Sequence, residues 1–155
     1  MKVAIGQDSH KFDFSRETND ILILGGVIFE NEAPIHANSD GDVVFHSITN
    51  AISGITGVNI LGAIADNMCK SGIKDSKEYL KESLKYLKNN ISHLSISIEC
   101  LTPKISPKID EMKQSISNIL NIPASSIGIT ATTGEGLTEF GKGNGIQVFS
   151  CITVD

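Results

Sequence analysis

The order of elements along this 155-residue chain predicts an α+β fold, a mixed β-sheet with three helices packed on one face. Three observations carry that reading. Strand-like and helix-like stretches run strand, hairpin, helix, helix, strand, helix, strand, strand. Two helices in succession exclude a doubly wound sheet, in which helices alternate with strands. In the last strand, Ile146, Val148, Ile152 and Val154 share one face and Phe149 and Cys151 the other, so the second face calls for cover by self-association.

The first strand is Val3-Ala4-Ile5-Gly6-Gln7-Asp8-Ser9-His10. Ile21 to Leu24 and Val27 to Phe29 flank Gly25-Gly26, a two-residue link that signals a hairpin. Residues 30–42, polar and holding Pro34, read as loop. A first helix runs from Asp42 to about Ile55, with Ser39 or Asp40 as its cap. Residues 57–75 show no clean period and read as loop with a short turn. Asp75 or Ser76 caps a second helix, whose core stripe is Tyr79, Leu80, Leu84 and Leu87. Leu94, Ile96, Ile98 and Cys100 alternate with polar residues, as in a half-buried strand. Ser106 as cap and Pro107 as first residue open a third helix, with Ile109, Met112, Ile116 and Ile119 facing the core. Strands at 127–133 and 146–154 complete the chain.

The length suits one domain, residues 1–155, with a real core. A net charge of −5 and dispersed lysines provide no cationic field for nucleic acid. Three cysteines without C-x-x-C spacing fit reduced thiols in a cytoplasmic protein. Strand-like sequence from residue 2 leaves no room for a signal peptide, and no apolar run reaches membrane-spanning length.

Asp8, His10 and His46 are the strongest candidates for chemistry. Asp8 and His10 lie two apart on a strand and so point the same way, with small Ala4 and Gly6 on their face. His46 falls in the first turns of a helix, four residues after Asp42. One carboxylate and two imidazoles suit zinc, and three protein ligands leave a position open for substrate.

These residues sit within five blocks. They are Gly6-x-Asp8-x-His10-x-Phe12, Leu24-Gly25-Gly26-Val27, Ser39-Asp40-Gly41-Asp42-Val43 with His46, Thr102-Pro103-Lys104, and Ala131-Thr132-Thr133-x-Glu135-x-Leu137 with Gly141-x-Gly143-x-Gly145-Ile146. In order and spacing they resemble the 2-C-methyl-D-erythritol 2,4-cyclodiphosphate synthase family, over nearly the whole chain. The resemblance implies a homotrimer with sheets facing the central axis and active sites between subunits. It implies a lyase-type cyclisation of 4-diphosphocytidyl-2-C-methyl-D-erythritol 2-phosphate, with release of CMP, in non-mevalonate isoprenoid synthesis.

By the same resemblance, Zn2+ binds Asp8, His10 and His46, and Glu135 holds a second ion, Mg2+ or Mn2+. Thr132 and Thr133 contact nucleotide phosphates, and Thr133 and Glu135 are the catalytic candidates. The segment with Cys100, Pro103, Lys104, Ile105 and Ser106 grips cytosine, largely through its backbone. Asp66 matches a position in a loop over the methylerythritol end, and Asn38 and Ser39 are further substrate-binding candidates. Lys142 matches a cationic position at the trimer axis. Read without the resemblance, Thr132 and Thr133 fit ordinary strand residues, Glu135 a solvated turn and Lys104 surface charge.

The chain departs from the family at several positions. Asn38 stands where a His usually contacts phosphate, with His36 two residues earlier as a substitute. Gly136 replaces a usual Lys beside Glu135. Asn50 and Asn59 fall at or near positions where Asp is common. At the axis, Lys142 and Asn144 replace Arg and Glu, and Phe140 is shifted by one. The alternative to an active enzyme is a weakened relative that binds a nucleotide or an isoprenoid diphosphate as a trimer.

Overall fold

β1, Lys2–Lys11, lies at one edge of a four-stranded sheet and β5, Ile127–Thr132, at the other. Between them run β6, Gly145–Val154, and β4, Ile91–Glu99, in the order β1-β6-β4-β5. The β4–β5 pair is parallel and the other two pairs are antiparallel, so the sheet is mixed as expected. The computed structural model describes residues 1–15 and 20–155. A separate hairpin pairs β2, Leu22–Leu24, with β3, Val27–Phe29. Its turn is the predicted Gly25-Gly26, with φ of 58° and 75°, the left-handed pair that a tight hairpin requires.

Four α-helices occur among the described residues, one more than expected. α1 is Val43–Thr56, α2 Ala65–Lys70, α3 Ser76–Leu84 and α4 Ile109–Leu120. The addition is α2, preceded by an irregular helical turn, Ile60–Ile64, kinked at Leu61 and Gly62. Its sequence hides it because α2 buries none of its residues and so carries no apolar stripe.

Two caps also differ from expectation. Asp42, rather than Ser39 or Asp40, caps α1, its Oδ1 accepting the Phe45 N–H at 3.0 Å. The same carboxylate accepts the Gly25 and Gly26 N–H groups, each at 2.8 Å, and so fastens the hairpin to the helix. Ser106 lies inside a short turn, Ser106–Lys108, that precedes α4, whose own start has no side-chain cap. Asp75 caps α3 as expected, accepting the Lys77 N–H at 2.9 Å.

The helices cover one face of the sheet. α1 packs on β1 and β6, α4 packs beside β5, and α3 packs on α1 and α4. Leu94, Ile96, Ile98, Ile146, Val148, Ile152 and Val154 point into this layer and are fully buried. The opposite face is open on this chain. Val3, Ile5 and Phe149 are 59%, 68% and 42% exposed there, next to a polar row that includes Ser95 and Ser97.

Candidate metal centre and active site

Gly6 decides how the site is built. α1 crosses β1 so closely that a Cβ at Gly6 would stand 2.0 Å from the Ser47 carbonyl oxygen and 2.2 Å from the Ala51 nitrogen. Only glycine permits that approach. Further on, a Cβ at Gly54 would stand 3.0 Å from the Ala4 side chain, so small residues line the whole crossing. A hydrogen bond between the Ser47 and Ser150 hydroxyls, at 2.6 Å, ties α1 to β6.

The crossing carries His46 over the end of β1. His46 Nδ1 lies 3.2 Å from Asp8 Oδ2, and His10 Nε2 lies 3.8 Å from the same oxygen. One ligand atom from each of the three residues falls within 4.8 Å of the others. Ligands at a tetrahedral Zn2+, with metal–ligand bonds of about 2.0–2.2 Å, stand roughly 3.4 Å apart. The donor set and its spacing therefore fit a divalent ion. Burial pulls the His10 imidazole below its usual pKa, more than neighbouring Asp8 raises it, which favours the neutral ring that a metal needs.

The triad opens into a cleft of about 950 Å³. Asn38, Ser39 and Asp66 line it, as do His36, Lys70 and Lys74. Asp66 sits in the first turn of α2, where a loop was expected. Ser39 Oγ accepts the Gly41 N–H at 3.2 Å, and the Asn38 carbonyl accepts the Cys69 thiol at 3.5 Å. Asn50 Nδ2 donates to the Gln7 carbonyl at 2.9 Å, pinning α1 to β1 beside the cleft.

The remaining candidates lie at the other edge of the sheet. Register runs straight across it: Ser9 pairs with Gln147, Gln147 with Glu99, and Glu99 with Thr132. Three strand spacings separate Ser9 from Thr132, about 14 Å in all. Thr132, Thr133 and Glu135 are exposed there. Gly134, Glu135 and Gly136 all have positive φ, at 60°, 57° and 71°, which turns the chain sharply after β5. The Thr138 hydroxyl donates to Glu99 Oε1, and Gly134 packs against the same carboxylate, steadying this turn.

In the segment after β4, Cys100, Pro103 and Ile105 are buried while Lys104 and Ser106 are exposed. Burial pushes the Cys100 thiol up to about 11, and it donates to the Pro103 carbonyl at 3.6 Å. Cys69, Cys100 and Cys151 are all free thiols. Lys142 ion-pairs with Glu139 at 2.9 Å, and Asn144 bonds the same carboxylate at 2.6 Å.

A sequence model of the YgbB family matches residues 1–155. The chain belongs to the YgbB family. Its relatives include a protein of Chlamydia caviae that is 54% identical over 156 aligned positions, spanning 99% of this chain and 88% of the relative. Another, from Chlamydia trachomatis serovar L2, is 50% identical over 99% of this chain and 87% of its own length. Both are called 2-C-methyl-D-erythritol 2,4-cyclodiphosphate synthase. A solved structure from Plasmodium falciparum, described as IspF in a CDP complex, superposes with a TM-score of 0.81 at 31% identity. It spans 99% of this chain and 94% of that one.

Some cleft residues of this YgbB-family chain gave no signal in the sequence. Lys70 ends α2 and Lys74 lies in the loop that follows, and nothing local in the sequence shows that either lines the cleft. Ser76 read only as a possible cap. Its hydroxyl lies 2.8 Å from His46 Nε2, a contact between residues 30 positions apart. No helix among the described residues is long and apolar enough to cross a membrane.

Proposed function

We propose that this chain is a 2-C-methyl-D-erythritol 2,4-cyclodiphosphate synthase of non-mevalonate isoprenoid synthesis, acting in the cytoplasm as a homotrimer. The observation that carries the proposal is the convergence of Asp8, His10 and His46 at one point of a cleft, in a chain whose relatives bear that name. The substrate is 4-diphosphocytidyl-2-C-methyl-D-erythritol 2-phosphate. An oxygen of the 2-phosphate forms a bond to the β-phosphorus, and the bond from that phosphorus to the bridging oxygen breaks. CMP leaves with the bridging oxygen.

Asp8, His10 and His46 hold Zn2+, and Glu135 contributes to a site for Mg2+ or Mn2+. Bound there, the ions supply Lewis acidity and neutralise charge on the diphosphate. Everything else is positioning, which supplies much of the acceleration in an intramolecular phosphoryl transfer. Asp66 orients the methylerythritol end, and Asn38 and Ser39 contact substrate from the same cleft. Thr132 and Thr133 donate to the nucleotide phosphates. The backbone from Cys100 to Ser106 grips cytosine, with Lys104 free to reach a phosphate. His36, Lys70 and Lys74 line the cleft in which Asn38 stands where the family usually has a His.

These two groups of residues lie about 14 Å apart across one sheet, too far to share a single reaction centre. A homotrimer resolves this. Packing the open sheet faces around an axis sets the β1 edge of one copy beside the β5 edge of the next and buries Val3, Ile5 and Phe149. A plain structural trimer would leave the metal triad without a use.

The test is a CMP-release assay on the CDP-linked substrate with Zn2+ and Mg2+ present. Equal CMP and cyclic diphosphate, and neither from His46→Ala, is the expected result. No turnover by the metal-loaded protein would contradict the proposal.

A further inference from the structure

We propose that Asp40 and Ser76 set the tautomer of His46, and so determine how tightly the Asp8–His10–His46 triad holds a divalent ion. The inference rests on reading the triad as a metal site. Ser76 is the first residue of α3 and is fully buried, and Asp40 lies in the loop before α1. The Ser76 hydroxyl donates its one proton to Asp40 Oδ1. Asp40 is itself fixed. Its Oδ2 accepts the Ser76 N–H at 3.1 Å, its Oδ1 accepts the Asp42 N–H at 3.1 Å, and its own N–H donates to the Lys74 carbonyl at 2.9 Å.

With that proton committed, the Ser76 oxygen can only accept. His46 Nε2, 2.8 Å away, must therefore be the protonated nitrogen. A neutral imidazole carries one N–H, so the Nδ1 lone pair is left facing Asp8 Oδ2 and the point on which the triad converges. In the other tautomer, Nδ1–H would donate to Asp8 and close the site. His46 is only 9% exposed and Ser76 not at all, so water does not readily take the place of the hydroxyl. Asp40 and Ser76 are thus positioning residues. They act on the metal through the ring they orient, and losing such a partner typically costs about 10–100-fold in metal affinity.

The experiment uses the full chain, stripped of metal. Long-range 1H–15N spectra report the His46 tautomer, and competition with a chromophoric chelator reports Zn2+ affinity. The unaltered protein should show the Nε2–H form and bind one Zn2+ per chain. Ser76→Ala should shift the ring toward Nδ1–H and weaken Zn2+ binding by about 10–100-fold. Asp40→Ala should do the same, because it removes the acceptor of the hydroxyl proton and lets that proton turn toward Nε2, and it keeps the test open should Ser76→Ala fold poorly. Zn2+ affinity within twofold of the unaltered protein in a folded variant overturns the inference, whatever the tautomer. An unaltered protein that takes up no Zn2+ overturns the metal reading itself, and this inference with it.

Discussion

Gly6 and Ser47 meet backbone to backbone: the position of a Gly6 Cβ is 2.0 Å from the Ser47 carbonyl oxygen. The residue that lets α1 approach β1 thus lies two positions before Asp8, and Ser47 directly follows His46. Gly6→Ala must push the helix away from the strand. Forcing a methyl against backbone costs at least about 3 kcal/mol, a fall in Tm of roughly 6–12 °C for a chain of this size. Thermal unfolding should show that fall, with Zn2+ uptake lost even in folded protein. Unchanged Tm and Zn2+ uptake would contradict the packing account.

Asp42 predicts a pH dependence of stability. Burial pushes its carboxyl from 3.8 up to about 6, against the pull of the Phe45, Gly26 and Gly25 N–H groups. The folded protein therefore keeps a proton that the unfolded chain releases at lower pH. Folding takes up that proton between the two values, so this contribution falls as pH rises from about 4 to about 6, by up to about 3 kcal/mol. Urea unfolding of the unaltered protein and of Asp42→Asn should differ by an amount that changes across that window and is level above it. A constant difference from about pH 4 to pH 7 would contradict this.

The open sheet face predicts a closed assembly. Light scattering at micromolar concentration should give the mass of three chains. Ile5→Lys, which places a charge on the uncovered face where Ile5 is 68% exposed, should shift the mass toward one chain. A monomeric unaltered protein would remove the basis for a site shared between copies.

Two departures from the family predict altered divalent-ion dependence. Asn38→His should restore a potential cation in the cleft, raising turnover or relaxing the Mg2+ requirement by roughly tenfold or more, since a charge-assisted hydrogen bond is worth about 1.5–3 kcal/mol. Gly136→Lys is less favourable than the sequence suggests. Nothing lies within 4 Å of its Cβ, but φ is 71°, so any side chain there costs about 1 kcal/mol of backbone strain. Rates at graded Mg2+ that match the unaltered protein would show that His36, Lys70 and Lys74 already supply the missing charge.

Much of this molecule was legible because its signals are local. Alternation marked the long strands, Gly25-Gly26 marked the hairpin, and the D-x-H spacing placed Asp8 and His10 on one face. α2 was hidden because it is short and buries nothing, so it shows no period. Asp42 escaped as a cap because Ser39 and Asp40 have the same chemistry, and only the tertiary contact with Gly25 and Gly26 separates them. The Ser76–His46 contact depends on how α3 docks against α1, and no local pattern encodes that.

The central claim is that one reaction centre draws metal ligands from the β1 edge of one copy and Thr133 and Glu135 from the β5 edge of another. Mixing two inactive variants, His46→Ala and Glu135→Ala, after dissociation and reassembly tests it most directly. In random trimers about a quarter of the sites pair an intact triad with an intact Glu135. CMP release should therefore return to roughly a quarter of the unaltered rate, from two proteins that are each inactive alone. No recovery in verified mixed trimers would show that each chain holds its own complete site, and would contradict the account.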